Sequence, residues 1–305
     1  MMSAKDMNPA IAMLVSLMGC TATSNHTRDA EPGQKVVCDG GPSTAPGNIS
    51  WIVSYPTTQL IAQQSSQAAQ LVQAYFNDAR TFLVVRADDI AAAQMTFPKA
   101  TLTEGFTDYT DDLAPALANG SIPAGVKAIY YDSEHWGLTP TFEQTSPKMY
   151  YAMAAQAVHD KGYQLLAVPA TDLVGAIEPN FHGSSIYSEF LNLGIAGDAA
   201  KLADVYEMQS QGSERALDVF APFVQNAARQ ARGANPQVRL LAGISTNPSS
   251  GDPTATELLA AVLTALGSVE GLWLNVPAPG KYCPACGTPR PDLAAALLVL
   301  LSQRC

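Results

Sequence analysis

Gly125-Val126-Lys127-Ala128-Ile129-Tyr130-Tyr131-Asp132-Ser133-Glu134-His135-Trp136 runs from an apolar stretch straight into two carboxylates, a histidine and a tryptophan. The apolar part reads as a β-strand. Successive strand side chains point to opposite faces, so Tyr130, Asp132 and Glu134 share one face, with neighbouring Cα atoms roughly 6–7 Å apart. In a barrel of parallel strands the chemistry sits at the C-terminal strand ends. A strand that ends this way delivers acids to that face. The plainer reading of the same residues is an acidic strand end that caps a loop.

Outward from this run, short β-branched or aromatic stretches alternate with longer amphipathic ones. The pattern predicts strands at 51–55, 81–86, 126–132, 164–169, 204–209, 238–244 and 271–276. It predicts helices at 58–79, 147–161, 214–232, 254–266 and 292–303. Ser146 is placed as an N-cap before Pro147, and Thr254 with Glu257 as a capping box. Residues 87–124 leave an eighth strand open, near 101–103, or only a short helix around 111–118. The βα order argues for a parallel sheet with helices outside it. The length suits a (β/α)8 TIM-like barrel of about 250 residues over 46–305, with one strand irregular or missing. An open doubly wound sheet competes. It would carry a Gly-rich phosphate turn after its first strand, where this chain has Ser54-Tyr55-Pro56-Thr57.

Of the 305 residues, 47% are hydrophobic and only 14% charged, with a net charge of −10. An acidic chain without a Lys/Arg cluster is a poor partner for nucleic acid or an anionic membrane surface. The apolar stretch 11–19 ends at Cys20 and resembles a bacterial lipoprotein signal. Residues 1–20 are therefore expected to be a signal with Cys20 lipidated, and 21–45 a polar tether. The expected location is extracellular or cell envelope, with the membrane met only through the lipid. Cys38, Cys283, Cys286 and Cys305 remain, an even set with three possible pairings. In a closed barrel Cys38 and Cys305 fall at the bottom and should pair. Cys283 and Cys286, after the last strand, should pair at the top.

Polar residues at strand interiors mark the inside of the barrel. Glu207, Gln209 and Gln211 share one parity, as do Trp273 and Asn275. The outer face must be apolar to pack on helices, so these side chains should turn inward. The long segment 170–194 carries Asp172, Phe181 and His182, and long βα loops tend to be functional. Tyr55, Trp136, Phe181 and Trp273 are candidate platforms for sugar rings. Asp132, Glu134, Glu207 and Asn275 are expected to face one cavity. Glu134 is the candidate acid, with Asp132 raising its pKa and Glu207 or Asp172 as second carboxylate. A metal held by Asp132, Glu134 and His182 is the alternative chemistry. No cofactor and no metal are expected, and no Gly-x-Ser-x-Gly supports a serine nucleophile.

Asp132-Ser133-Glu134 after a strand, with the aromatic Trp136, resembles the strand-end Asp-x-Glu of family-18 chitinase-type glycoside hydrolases. Met208 and Trp273 fall where that family has a Met-x-Tyr-Asp strand and a tryptophan floor. Lys127 and Tyr130 stand where it has earlier aspartates, and Ser210 and Gln211 where it has Tyr-Asp. The pattern is also similar to that of secreted bacterial barrel lipoproteins, which implies no activity. The resemblance implies a barrel with Glu134 as general acid and Asp132 assisting. The expected function is hydrolysis of a glycosidic bond in a polysaccharide or cell-envelope glycan. Asp172, His182, Gln209, Gln211, Tyr55, Trp136, Trp273 and Asn275 are expected at the substrate. The alternative is a non-catalytic glycan-binding barrel. Either way the expected partner is a carbohydrate or other small molecule, bound by a monomer.

Overall fold

A computed structural model describes residues 43–248, 251–280 and 286–304. The signal, most of the tether, Cys20, Cys38, Cys283 and Cys305 lie outside the described residues. The eight strands are β1 (Ser50–Ser54), β2 (Thr81–Val84), β3 (Thr101–Phe106), β4 (Ala128–Tyr131), β5 (Gln164–Ala167), β6 (Val205–Met208), β7 (Arg239–Ser245) and β8 (Gly271–Asn275). Each pairs in parallel with the next, and β8 closes on β1 through Trp51 opposite Leu272. With helices between the strands, this is a (β/α)8 TIM barrel.

The open question of residues 87–124 resolves into both alternatives. β3 occupies 101–106, and a helix follows at Ala114–Asn119. Thr101-Leu102-Thr103-Glu104-Gly105-Phe106 shows little apolar alternation, which hid its full length. Gly105 serves a neighbour: a Cβ there would stand 3.3 Å from Tyr130 Cδ1. The expected helix 58–79 is two helices, Tyr55–Ala62 and Ser66–Phe76. Ser54 and Ser65 cap them, each side chain accepting a backbone N–H three residues on. Ser146 occupies the N-cap position but makes no side-chain cap bond. The Thr254–Glu257 capping box is present. The barrel domain also starts slightly earlier than residue 46. Thr44 is buried, its hydroxyl donates to Leu301 O, and its carbonyl accepts from Tyr75 Oη.

Two apolar layers follow from strand parity. Trp51, Tyr131, Tyr206 and Met208 face outward into the shell between sheet and helices. Ile52, Phe82, Tyr130, Leu166, Val205 and Leu241 fill the barrel interior, with Trp273 packed against them. Burying each such side chain is worth about 1.5–3 kcal/mol, so this inner layer is a floor and not a channel. Beneath it Arg239 lies over the Phe82 ring at 5.6 Å.

Candidate functional site: an acid pair at the C-terminal end of the barrel

β4 ends at Tyr131, yet its pairing continues one step, because Asp132 N donates to Phe106 O. That step keeps Asp132 on the interior parity of Tyr130. The Tyr130 hydroxyl donates to Asp132 Oδ2 at 3.1 Å. Gln209, just past β6, brings Nε2 to Asp132 Oδ1 at 2.7 Å and to Glu134 Oε1 at 3.1 Å. One amide nitrogen therefore holds both acids. Trp273 meets the Tyr130 ring edge-on, with centroids 5.8 Å apart.

Burial sets the electrostatics. Asp132 is 7% exposed, and burial followed by the nearby Glu134 charge holds its carboxyl well above the usual range. Glu134 is raised to about 7, by burial first and the Asp172 charge second, while hydrogen bonds from Gln209 and Asp132 pull it back. Glu207 is fully buried with neither oxygen hydrogen-bonded, and burial then Glu134 push it well above the usual range. Asp172 is raised by burial, opposed by the His135 N–H that its Oδ1 accepts at 3.0 Å. Burial and the neighbouring charges thus favour the protonated forms across the cluster.

The loop after Glu134 is fixed by polar contacts. Thr139 Oγ1 accepts from Glu134 N and Trp136 Nε1 and donates to Thr107 O. Gln144 Nε2 donates to the carbonyls of Trp136 and Thr139. Glu143 is fully buried and accepts from Tyr131 Oη, from the amides of Tyr109 and Thr110, and from the Thr110 hydroxyl. Glu214 is buried likewise and accepts from the amides of Gly212 and Ser245. These supports were missed in the sequence. Glu143 sits in Thr141-Phe142-Glu143-Gln144, a stretch without a motif, and its partners Tyr109, Thr110 and Tyr131 lie elsewhere in the chain.

The candidate residues do not all converge. Asp132, Glu134, Gln209 and Tyr130 are joined by hydrogen bonds. Gln211, past β6, and Trp273 and Asn275, on β8, share the interior parity on either side of β7. Tyr55 instead packs edge-on against Phe97 at 6.3 Å, among the residues outside the barrel. It starts a helix, where the sequence reading ended a strand, and that change of element turns it away. Phe181 packs toward the same outer shell. His182 is exposed, and among the described residues no group of three His, Cys, Asp or Glu is arranged to hold a metal ion. Exposed His135 lies over Gly175, where a Cβ would come 3.0 Å from Nδ1. Cavities of about 410 and 340 Å³ lie at the opposite end of the barrel around Arg239, and neither includes the acids.

No protein-family model and no curated protein matches the chain. Solved structures similar to it include the catalytic domain of a family GH18 chitinase from the fern Peteris ryukyuensis. That likeness has 14% identity over 72% of this chain and 90% of that one, with a TM-score of 0.44. A sugar phosphate isomerase/epimerase from Parabacteroides distasonis shares 10% identity over 88% and 98%, TM-score 0.45. An aldolase, QR15, shares 11% identity over 75% and 90%, TM-score 0.43. Likenesses this distant carry nothing about activity. The barrel rests on the strand register itself.

Proposed function

We propose that the protein hydrolyses a glycosidic bond, with Glu134 as general acid. The observation that supports this most is the Asp132–Glu134 pair held by one Gln209 nitrogen, with Glu134 raised to about 7. A general acid must keep its proton at working pH and still release it, so a value near neutrality suits the task. Two carboxyl oxygens sharing one donor are too close to flank a sugar as an inverting pair, whose carboxyl groups stand about 6.5–9.5 Å apart. Asp132 therefore serves as proton partner to Glu134. Asp172 is the partly exposed carboxylate left to act on the substrate. Trp136 and Trp273 offer ring faces of the kind that pack on sugars.

Release of reducing ends from a panel of polysaccharides and cell-envelope glycans tests the reading. Wild-type turnover that disappears in Glu134→Gln supports it, and turnover undiminished in that variant sinks it. A binding-only barrel is the second reading. It is favoured by Gln209, which already occupies an oxygen of each acid. Glycan binding by wild type without any turnover would establish that alternative. The lipid-anchored, cell-envelope location rests on residues 1–20 as sequence alone. Membrane fractionation of wild type against Cys20→Ser tests it.

A further inference from the structure

Glu207 has no exposed surface and no hydrogen bond to either carboxyl oxygen. An ionised carboxylate in such a place is very costly. A neutral one still needs an acceptor for its proton. Gln211 Oε1 is buried too, and it also has no partner. Both groups lie against Gly243. A Cβ on that residue would stand 2.7 Å from Glu207 Oε1 and 2.2 Å from Gln211 Oε1. Glycine leaves the space that the two side chains fill. Gln211 is half-buried, just past the strand end that also carries Gln209.

We propose that Glu207 is a positioning residue: as a neutral acid it donates its proton to Gln211 Oε1 and so turns the Gln211 amide N–H group outward, as a donor to a hydroxyl or carbonyl oxygen of the substrate. One proton then engages Gln211 Oε1 and one of the two Glu207 oxygens. The charges that reach Glu207 are few. β4 brings Tyr130, Asp132 and Glu134, and its own strand brings Tyr206. β7 brings Leu241 and Gly243 there, with Arg239 two residues further down against Phe82, and neither Leu166 of β5 nor Val168 just past it titrates. Among the described residues no cation compensates a negative Glu207, and burial favours its neutral form. The word substrate rests on the hydrolase reading above, whereas the Glu207–Gln211 contact does not.

Three variants test it. Glu207→Gln keeps a donor of the same reach, so kcat and KM should stay within about twofold of wild type. Glu207→Leu keeps the volume and removes the donor, so KM should rise about tenfold or more with a smaller change in kcat. An inactive Glu207→Gln overturns the assignment in favour of direct acid chemistry, and an unchanged KM in Glu207→Leu overturns it outright. Thermal unfolding gives a readout independent of turnover. Neutral Glu207 holds a proton that the unfolded chain releases near pH 4.3, so wild type loses stability as pH rises. The midpoint of Glu207→Gln should therefore gain on wild type from pH 5 to pH 8, and parallel curves refute a neutral Glu207. In Glu207→Leu/Gln211→Leu both unsatisfied groups are removed together, so the double variant should melt above Glu207→Leu alone. A further drop instead refutes the contact. Diverging pH curves in a protein that cleaves no glycan would overturn the hydrolase reading and support the contact.

Discussion

Glu134 takes its raised pKa from burial first and from Asp172 second. A general acid acts in its protonated form, so activity should decline as pH rises through about 7. Glu134→Gln should cost roughly 10²–10⁴-fold in kcat. Asp172→Asn removes the second cause, so the decline should begin at lower pH, and a pH–rate profile of both proteins checks this. The same shift affects stability. The folded chain keeps a proton that unfolded Glu loses near pH 4.3, so this contribution is complete below that value and fades as pH rises toward about 7. Glu143 differs in kind, because four protein donors satisfy it. Removing it in Glu143→Ala strands those donors and should cost about 3 kcal/mol or more, read by urea unfolding. Glu143→Gln should cost less. At this scale legibility followed strand parity. Asp132, Glu134, Gln209 and Trp273 were readable because a two-residue period fixes which way each points. Glu143, Thr139 and Gln144 were not, since what they do depends on partners brought near only by the closed fold.

The elements that the sequence disclosed best are those with a local signature. Thr254 and Glu257 announce their helix because both halves of the capping box lie within four residues. β3 lacked such a mark. Its Glu104 and Gly105 interrupt the apolar pattern, and Gly105 answers to the ring of Tyr130 on β4. The seam between β8 and β1 is a similar case. A Cβ on Gly271 would stand 2.1 Å from the Ser50 carbonyl oxygen and 2.6 Å from its Cβ. Backbone cannot yield as a flexible side chain can, so the strands themselves would have to separate. Gly271→Ala should thus destabilise by about 3 kcal/mol, at the upper end of overpacking costs. Gly280→Ala, which among the described residues meets nothing within 4 Å, should change the denaturation midpoint little. Equal midpoints for the two variants would show that the seam does not depend on the missing side chain.

At the scale of the molecule, the alternation of strands and helices was enough to read a barrel, because parallel strands need crossovers and eight of them close on themselves. What the alternation could not convey is how the ends are tied. Thr44 reaches Leu301 across the closure, through a hydroxyl-to-carbonyl bond of 3.0 Å. Tyr75 holds the same segment through the Thr44 carbonyl. Cys38 lies six residues before Thr44, and Cys305 four after Leu301, in the sequence. Thr44 and Leu301 thus meet at one edge of the barrel, and we propose a Cys38–Cys305 disulfide beyond them. Cys286 is disulfide-bonded, and we propose Cys283, three residues earlier in the sequence, as its partner. A bridge between the ends closes most of the chain into one loop, for which chain-entropy models give about 4–5 kcal/mol. Cys38→Ser/Cys305→Ser should therefore unfold at markedly lower denaturant than wild type, with an unchanged native spectrum. Peptide mapping without reduction decides the connectivity. Finding Cys38 linked to Cys283 or Cys286 would overturn the pairing.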